Sequence, residues 1–114
     1  VMNKGLNKVM IIGWVDGEPE VRQTPNGRSV ASFSVATSRT WTSSDGARHE
    51  ETEWFNVVAW GSLAEISSKR LGHGQQVYVE GRLQTRSWDD NSGRKHFRTE
   101  VIAHELIAMA DTIV

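Results

Sequence analysis

The chain has 114 residues, no cysteine and only two prolines. Without cysteine there is no disulfide framework and no thiolate zinc site, a composition that suits a reducing compartment. No apolar run approaches the roughly 20 residues that a membrane helix needs, and the first residues lack the apolar centre of a signal peptide. The expectation is a soluble, cytoplasmic chain with no membrane partner. Excess charge is also missing. Thirteen Lys and Arg stand against fourteen Asp and Glu, a net charge of −1, so any anion-binding surface has to be local. Catalytic signatures fail one by one. Neither GxxxxGK, GxGxxG nor G-x-S-x-G occurs, and the H-E-x-x-H pattern begun at His49-Glu50 and His104-Glu105 meets Glu53 and Ala108 where its second histidine belongs. His73 and His96 stand alone. The sequence therefore offers no catalytic set, no metal site and no requirement for a cofactor.

What is present in quantity is tryptophan, five in all. Trp41, Trp54, Trp60 and Trp88 lie at or beside strand patterns that also carry arginines, and these indoles are expected on the polar-facing register. Charge is uneven as well. Positions 69–98 hold Lys69, Arg70, Arg82, Arg86, Arg94, Lys95 and Arg98 against Glu80, Asp89 and Asp90. The compensating acids gather at 16–20 and 45–53.

The first strand is expected over 8–15 (KVMIIGWV), with a bulge or bend at Gly13. A tight turn follows at TPNG, 24–27. The second strand, 29–41, puts Ala31, Phe33, Val35 and Thr37 on one face. Loop chemistry fills 42–51, and TEWFNVVAW, 52–60, forms the third strand, with Phe55, Val57 and Ala59 inward and Trp54 and Trp60 outward. A short helix is expected next, with Ser62 and Glu65 as a capping box and Gly72 as a left-handed C-terminal cap. The fourth strand, 75–88, directs Val77, Val79 and Leu83 inward and Arg82, Arg86 and Trp88 outward. The loop 89–93 leads to the fifth strand, 95–109. No internal repeat or low-complexity tract appears. Three strands, a helix and a hairpin match the all-β OB-fold, a five-stranded Greek-key barrel with one short helix between strands three and four; an SH3-like barrel or an open α+β sheet shares the pattern.

Aromatics interleaved with bases suit single-stranded nucleic acid, whose exposed base faces stack on indole while its phosphates attract cations. Stacking alone does not separate DNA from RNA. The competing readings are an adaptor whose outward aromatics meet another protein, a hydrolase acting on nucleic acid, and tryptophans that simply fill the core, a reading that weighs most for Trp14 in the most apolar strand.

The segments LNKVMIIGWV, EVRQTPNGRSVASFSVATS, TEWFNVVAWG, LAEISSKRLGHGQQVYVEGRLQTRSW and RTEV together resemble the bacterial single-stranded-DNA-binding protein family, from about Gly5 to Met109. The resemblance implies a homotetramer of OB-folds that wraps single-stranded DNA and protects it in replication, recombination and repair, in the cytoplasm and associated with the nucleoid. It assigns base stacking to Trp41, Trp54, Trp60 and Trp88, and phosphate contact to Lys4, Lys8, Arg22 and Arg86, with Arg70 and Arg82 as local contributors. Trp60 stands where many members have phenylalanine, and Asn56 and Ser62 stand where some carry a positive charge. Members continue through a Gly/Pro/Gln-rich linker to an acidic tip that recruits replication and repair proteins, and nothing up to Ile113-Val114 is similar to either. The expected organisation is a binding domain over 1–109, with 110–114 the start of a linker or of a truncated tail, and recruitment confined to a tail that these residues lack.

Overall fold

The computed structural model describes residues 4–109; the expected linker start at 110–114 lies outside them. The elements run β1 (Val9–Gln23), β2 (Ser29–Thr42), β3 (Arg48–Trp60), α1 (Ser62–Arg70), β4 (Gln76–Asp89) and β5 (Lys95–Ala108). The strands close into one barrel in the order β1-β2-β3-β5-β4, antiparallel throughout except where β3 meets β5. This is the OB-fold. Its interior is lined by the alternate residues of each strand, mostly β-branched or small: Ile11 and Val15, Ala31, Phe33 and Val35, Val57 and Ala59, Val77 and Val79, Val101 and Ala103. Helix α1 packs against β1, β2, β3 and β5, burying Ala64 and Ser67. The buried Ser67 hydroxyl donates to the Leu63 carbonyl at 2.8 Å, so its burial leaves no unpaired polar group.

Closure depends on two glycines on inward positions. A Cβ at Gly13 would lie 2.3 Å from the Ala36 carbonyl oxygen, and one at Gly81 would lie 2.0 Å from that of Ile102. Both obstacles are backbone, which cannot swing aside as a side chain does. Beside Gly81 the β4–β5 register also shifts, leaving His104 as an extra residue, so that Leu106 rather than Glu105 follows Ala103 into the core.

Three hairpins share one turn. Thr24–Arg28, Ser43–Ala47 and Asp90–Arg94 each receive a hydrogen bond at the first carbonyl from the glycine N–H and close with the first N–H bonded to the last carbonyl. The fourth residue is Gly27, Gly46 or Gly93, with φ of 84°, 86° and 81°, the left-handed position of a three-residue hairpin loop.

Several boundaries differ from expectation. β1 continues to Gln23 because Gly17, Glu18 and Pro19 bulge opposite a single β2 residue, after which pairing resumes at Glu20–Ser32. β3 begins at Arg48, since residues 48–51, expected as loop, pair with 39–42. Their polarity marks exposure on both faces, not the absence of a strand. The capping box does not form. Gly61 is the N-cap, at φ 62° and ψ −126°, without a side-chain bond from Ser62. The helix ends in extended Leu71, which is buried, and the left-handed turn falls at Gly74 instead of Gly72.

Two side chains miss their expected faces. Leu83 has the inward parity but is 45% exposed, because β4 leaves β1 at Gly81 and only β5 accompanies it further. Trp41 has the parity of the core residues Phe33 and Val35, not the polar-facing register; it is exposed because β2 and β3 extend past the barrel as a two-stranded arm. Parity specifies a buried face only where a second layer covers it.

Gly81→Ala is expected to destabilise the chain by about 1–3 kcal/mol or more, by overpacking against backbone. Gly5→Ala, where nothing lies within 4 Å, should stay within about 0.5 kcal/mol of the native chain in urea denaturation.

Candidate nucleic-acid interface

The outward face of the barrel carries a groove of about 640 Å³ between the β1–β2 turn and the β4–β5 arm. Its floor is Val30, Val58 and Ile102, and its walls carry Arg22, Arg28, Trp60, Arg82 and Arg86. Register explains the gathering: Arg22 pairs with Val30 and Val30 with Trp60, while Val58 pairs with Ile102 and Ile102 with Arg82. Val30 and Val58 are buried although they lie on the outward parity, so the groove floor is apolar. The Arg28 guanidinium carbon stands 4.6 Å from the centre of the half-buried Trp60 ring, a cation–π contact.

One acid anchors the groove's basic side. Glu100, 7% exposed, receives Arg86 Nε on Oε1 at 3.1 Å and faces Arg98 Nε with Oε2 at 3.5 Å. The carboxylate fixes both guanidinium groups and leaves their remaining N–H groups free to meet an anion.

Of the residues singled out in the sequence, Arg22, Trp60, Arg82 and Arg86 converge on this groove. Trp88 adjoins it on the β4–β5 arm, 4.9 Å from the Arg86 guanidinium. Trp41 lies on the separate β2–β3 arm. Trp54, 59% exposed, sits outside the groove in a row with Ala36 and Trp14, and its indole N–H donates to Asp16 at 3.0 Å. Lys8 pairs with Glu80 at 3.6 Å, Lys4 is exposed before β1, and Arg70 ends α1. Arg28 and Glu100 are groove residues that sequence reasoning passed over. Arg28 had a signal, as the residue that follows the Asn-Gly turn and re-enters the strand. Glu100 had none, since burial of a lone acid is set by the arginines that reach it.

Each arm tip has an ordered carboxylate. Asp45 is held below the usual carboxylate range, first by the Ser43 hydroxyl and then by the Ala47 N–H. Asp90 is lowered to about 2, first by His96, whose Nε2 lies 2.7 Å away, then by the Ser92 hydroxyl and the Arg94 N–H. A carboxylate whose folded value is depressed stabilises the fold above its ordinary midpoint near 3.8 and loses that contribution as pH falls toward 2. Carboxyl-detected NMR should therefore find the Asp90 midpoint near 2, rising toward 3.8 in His96→Phe.

Comparison with known proteins agrees with this geometry. The solved structure of a Plasmodium falciparum SSB complex with ssDNA superposes with a TM-score of 0.85 at 32% identity, over 96% of this chain and 100% of that one. A deletion mutant of the single-stranded DNA binding protein from Thermus aquaticus gives 0.81 at 30% identity, over 96% of this chain and 53% of that one. Single-stranded DNA-binding protein 1 of Chlorobaculum tepidum is 52% identical over 106 residues, which are 92% of this chain and 65% of that protein's length. The sequence pattern of the family described as "Single-strand binding protein family" matches residues 6–109. With the barrel, the short helix and nearly the whole sequence in agreement, the chain belongs to the single-strand binding protein family.

Proposed function

We propose that this chain binds single-stranded DNA with little regard for sequence and shields it in replication, recombination and repair. The observation that carries the reading is the groove itself: a tryptophan under an arginine, over an apolar floor, flanked by Arg22, Arg82 and Arg86 on a barrel of this family. Unpaired bases stack on Trp60 and on the exposed rings of Trp41, Trp54 and Trp88, while the arginines, with Lys4, Lys8 and Arg70 further out, attract phosphates. No cofactor or catalytic group enters this mechanism. The relative in complex with ssDNA supports it, since its whole length superposes on this chain.

A homotetramer belongs to the same reading. Met10, Ile12 and Trp14 are exposed on the outward side of β1, and Ile12 continues across Tyr78 to the exposed Ile107. An apolar row of this kind on a small soluble domain suits contact with another copy. We assign action in the cytoplasm, on the nucleoid, and attribute no recruitment of replication and repair proteins to these residues.

The deciding measurement is titration with oligo(dT), following tryptophan fluorescence at low and high salt with duplex of equal length as control. Strong quenching by the single strand alone is expected; unchanged fluorescence at both salts would transfer the aromatic surface to a protein partner. Trp60→Ala, Trp54→Ala and Trp88→Ala should each weaken binding by about 1–3 kcal/mol while keeping the native circular dichroism spectrum. Arg28→Ala and Arg82→Ala should each reduce the slope of log K against log salt by about 0.7. Ile12→Asp is expected to lower the assembled mass in sedimentation without unfolding the barrel.

A further inference from the structure

The two arms carry the same assembly, a duplication that does not stand out in the linear sequence because so few positions are shared. Residues 39–49 read RTWTSSDGARH and residues 86–96 read RSWDDNSGRKH. Arginine comes first, tryptophan third, glycine eighth, a base tenth and histidine eleventh in both. The folded arms repeat one another as closely. Trp41 is paired across the strands with His49, and Trp88 with His96. Each indole stacks on its histidine, with ring centres 5.2 and 5.5 Å apart and planes within 19° and 18°. Each has a guanidinium over it, Arg39 at 4.6 Å and Arg86 at 4.9 Å. Each remains open to solvent to nearly the same degree, 39% and 41%.

The barrel does not demand this. Trp41 uses the core-parity face of its arm and Trp88 the outward-parity face, so the same four-part arrangement is built on two different surfaces. Neither arm encloses a core that would need the rings. The imidazole nitrogens have their own anchors, His49 Nε2 on Ser43 Oγ at 3.0 Å and His96 Nε2 on Asp90 Oδ2 at 2.7 Å, which fix the imidazole planes beside the indoles.

We propose that His49 and His96 are nucleobase-binding residues: each forms with its tryptophan an offset stack of two parallel rings against which one unpaired base stacks, with the guanidinium of Arg39 or Arg86 over the indole available to the adjoining phosphate. The inference rests on the single-strand reading and extends it to two residues which that reading leaves idle. The imidazole adds a second ring face parallel to that of the indole, and the anchored histidine limits rotation of the indole, reducing the ordering cost of stacking.

The test compares the native chain with His49→Gln, His96→Gln, the double Gln variant, and His49→Phe and His96→Phe, titrated with oligo(dT) after circular dichroism has verified the fold. Each Gln variant should bind about three- to tenfold more weakly, the two losses should multiply in the double variant, and each Phe variant, which restores a flat ring, should stay within about twofold of native. In the native protein, the Cε1–H resonances of both histidines should shift on adding the oligonucleotide, a readout that needs no substitution. Gln variants that fold and bind like the native chain, Phe variants that lose as much as Gln, or histidine resonances that stay still while tryptophan fluorescence is quenched would each overturn the proposal. If the native chain itself leaves oligo(dT) unbound, the single-strand reading fails instead, and that result is distinct from all three.

Discussion

Closing five strands into so small a barrel forces β1 to pair on both of its edges, and β4 to pass from β1 to β5, where backbones approach too closely for any side chain. Gly13 and Gly81 occupy those crossings, each facing a carbonyl oxygen at a distance that excludes a Cβ. The rest follows from closure. It gives each strand one buried parity, lets valines and small residues fill the interior at native density, and leaves the opposite parity to form a continuous outer wall. The groove is a depression in that wall. Its floor of Val30, Val58 and Ile102 exists because β2, β3 and β5 are neighbours, which happens only in the closed order.

Electrostatics then selects what the wall can meet. A net charge of −1 gives no general attraction to polyanions, but four arginines line the groove, and the buried acid that balances part of them sits at its edge. Glu100 offsets the cost of crowding Arg86 and Arg98 together, and at 7% exposed it leaves little carboxylate surface to repel a phosphate. The apolar floor and Trp60 give the same surface an affinity for flat faces. A site built of stacking surface and point charges has few oriented donors and acceptors with which to read one base against another, as expected for sequence-tolerant binding.

Much of the fold could be read directly. Alternation in 31–35 and 55–59, the turn chemistry at Asn26-Gly27 and Asp45-Gly46, and the apolar run of β1 predicted the strands because their parity is imposed by a real core. The reading failed where that pressure ends. Leu83 and Trp41 have inward parity without an inside, residues 48–51 are strand despite loop composition, and Gly61 caps α1 in place of Ser62 through a backbone conformation that leaves no side-chain signature. The candidate site divides along the same line. Arg22, Trp60, Arg82 and Arg86 were legible as aromatics and bases on strands, whereas their convergence, the inclusion of Arg28 and the role of Glu100 depend on register between distant segments. The pairing of Trp41 with His49 and of Trp88 with His96 was hidden for a related reason: seven residues of sequence separate partners that a hairpin sets side by side.

The arms beyond the barrel are held by their own cross-strand bonds and by exposed pairs such as Ser38–Thr52 and Thr85–Thr99, with no apolar layer behind them. Segments with exposed backbone pairing and little buried apolar contact open with far less free energy than a closed core. The chain is therefore divided into two tiers of cooperativity. Amides around Val57, Val79 and Val101 should exchange with solvent only when the whole domain unfolds, while those of 39–49 and 86–96 open on their own. The surfaces that reach furthest outward can then be ordered by whatever they clasp, and the thermodynamic cost of that ordering stays in the hairpins and leaves the barrel intact.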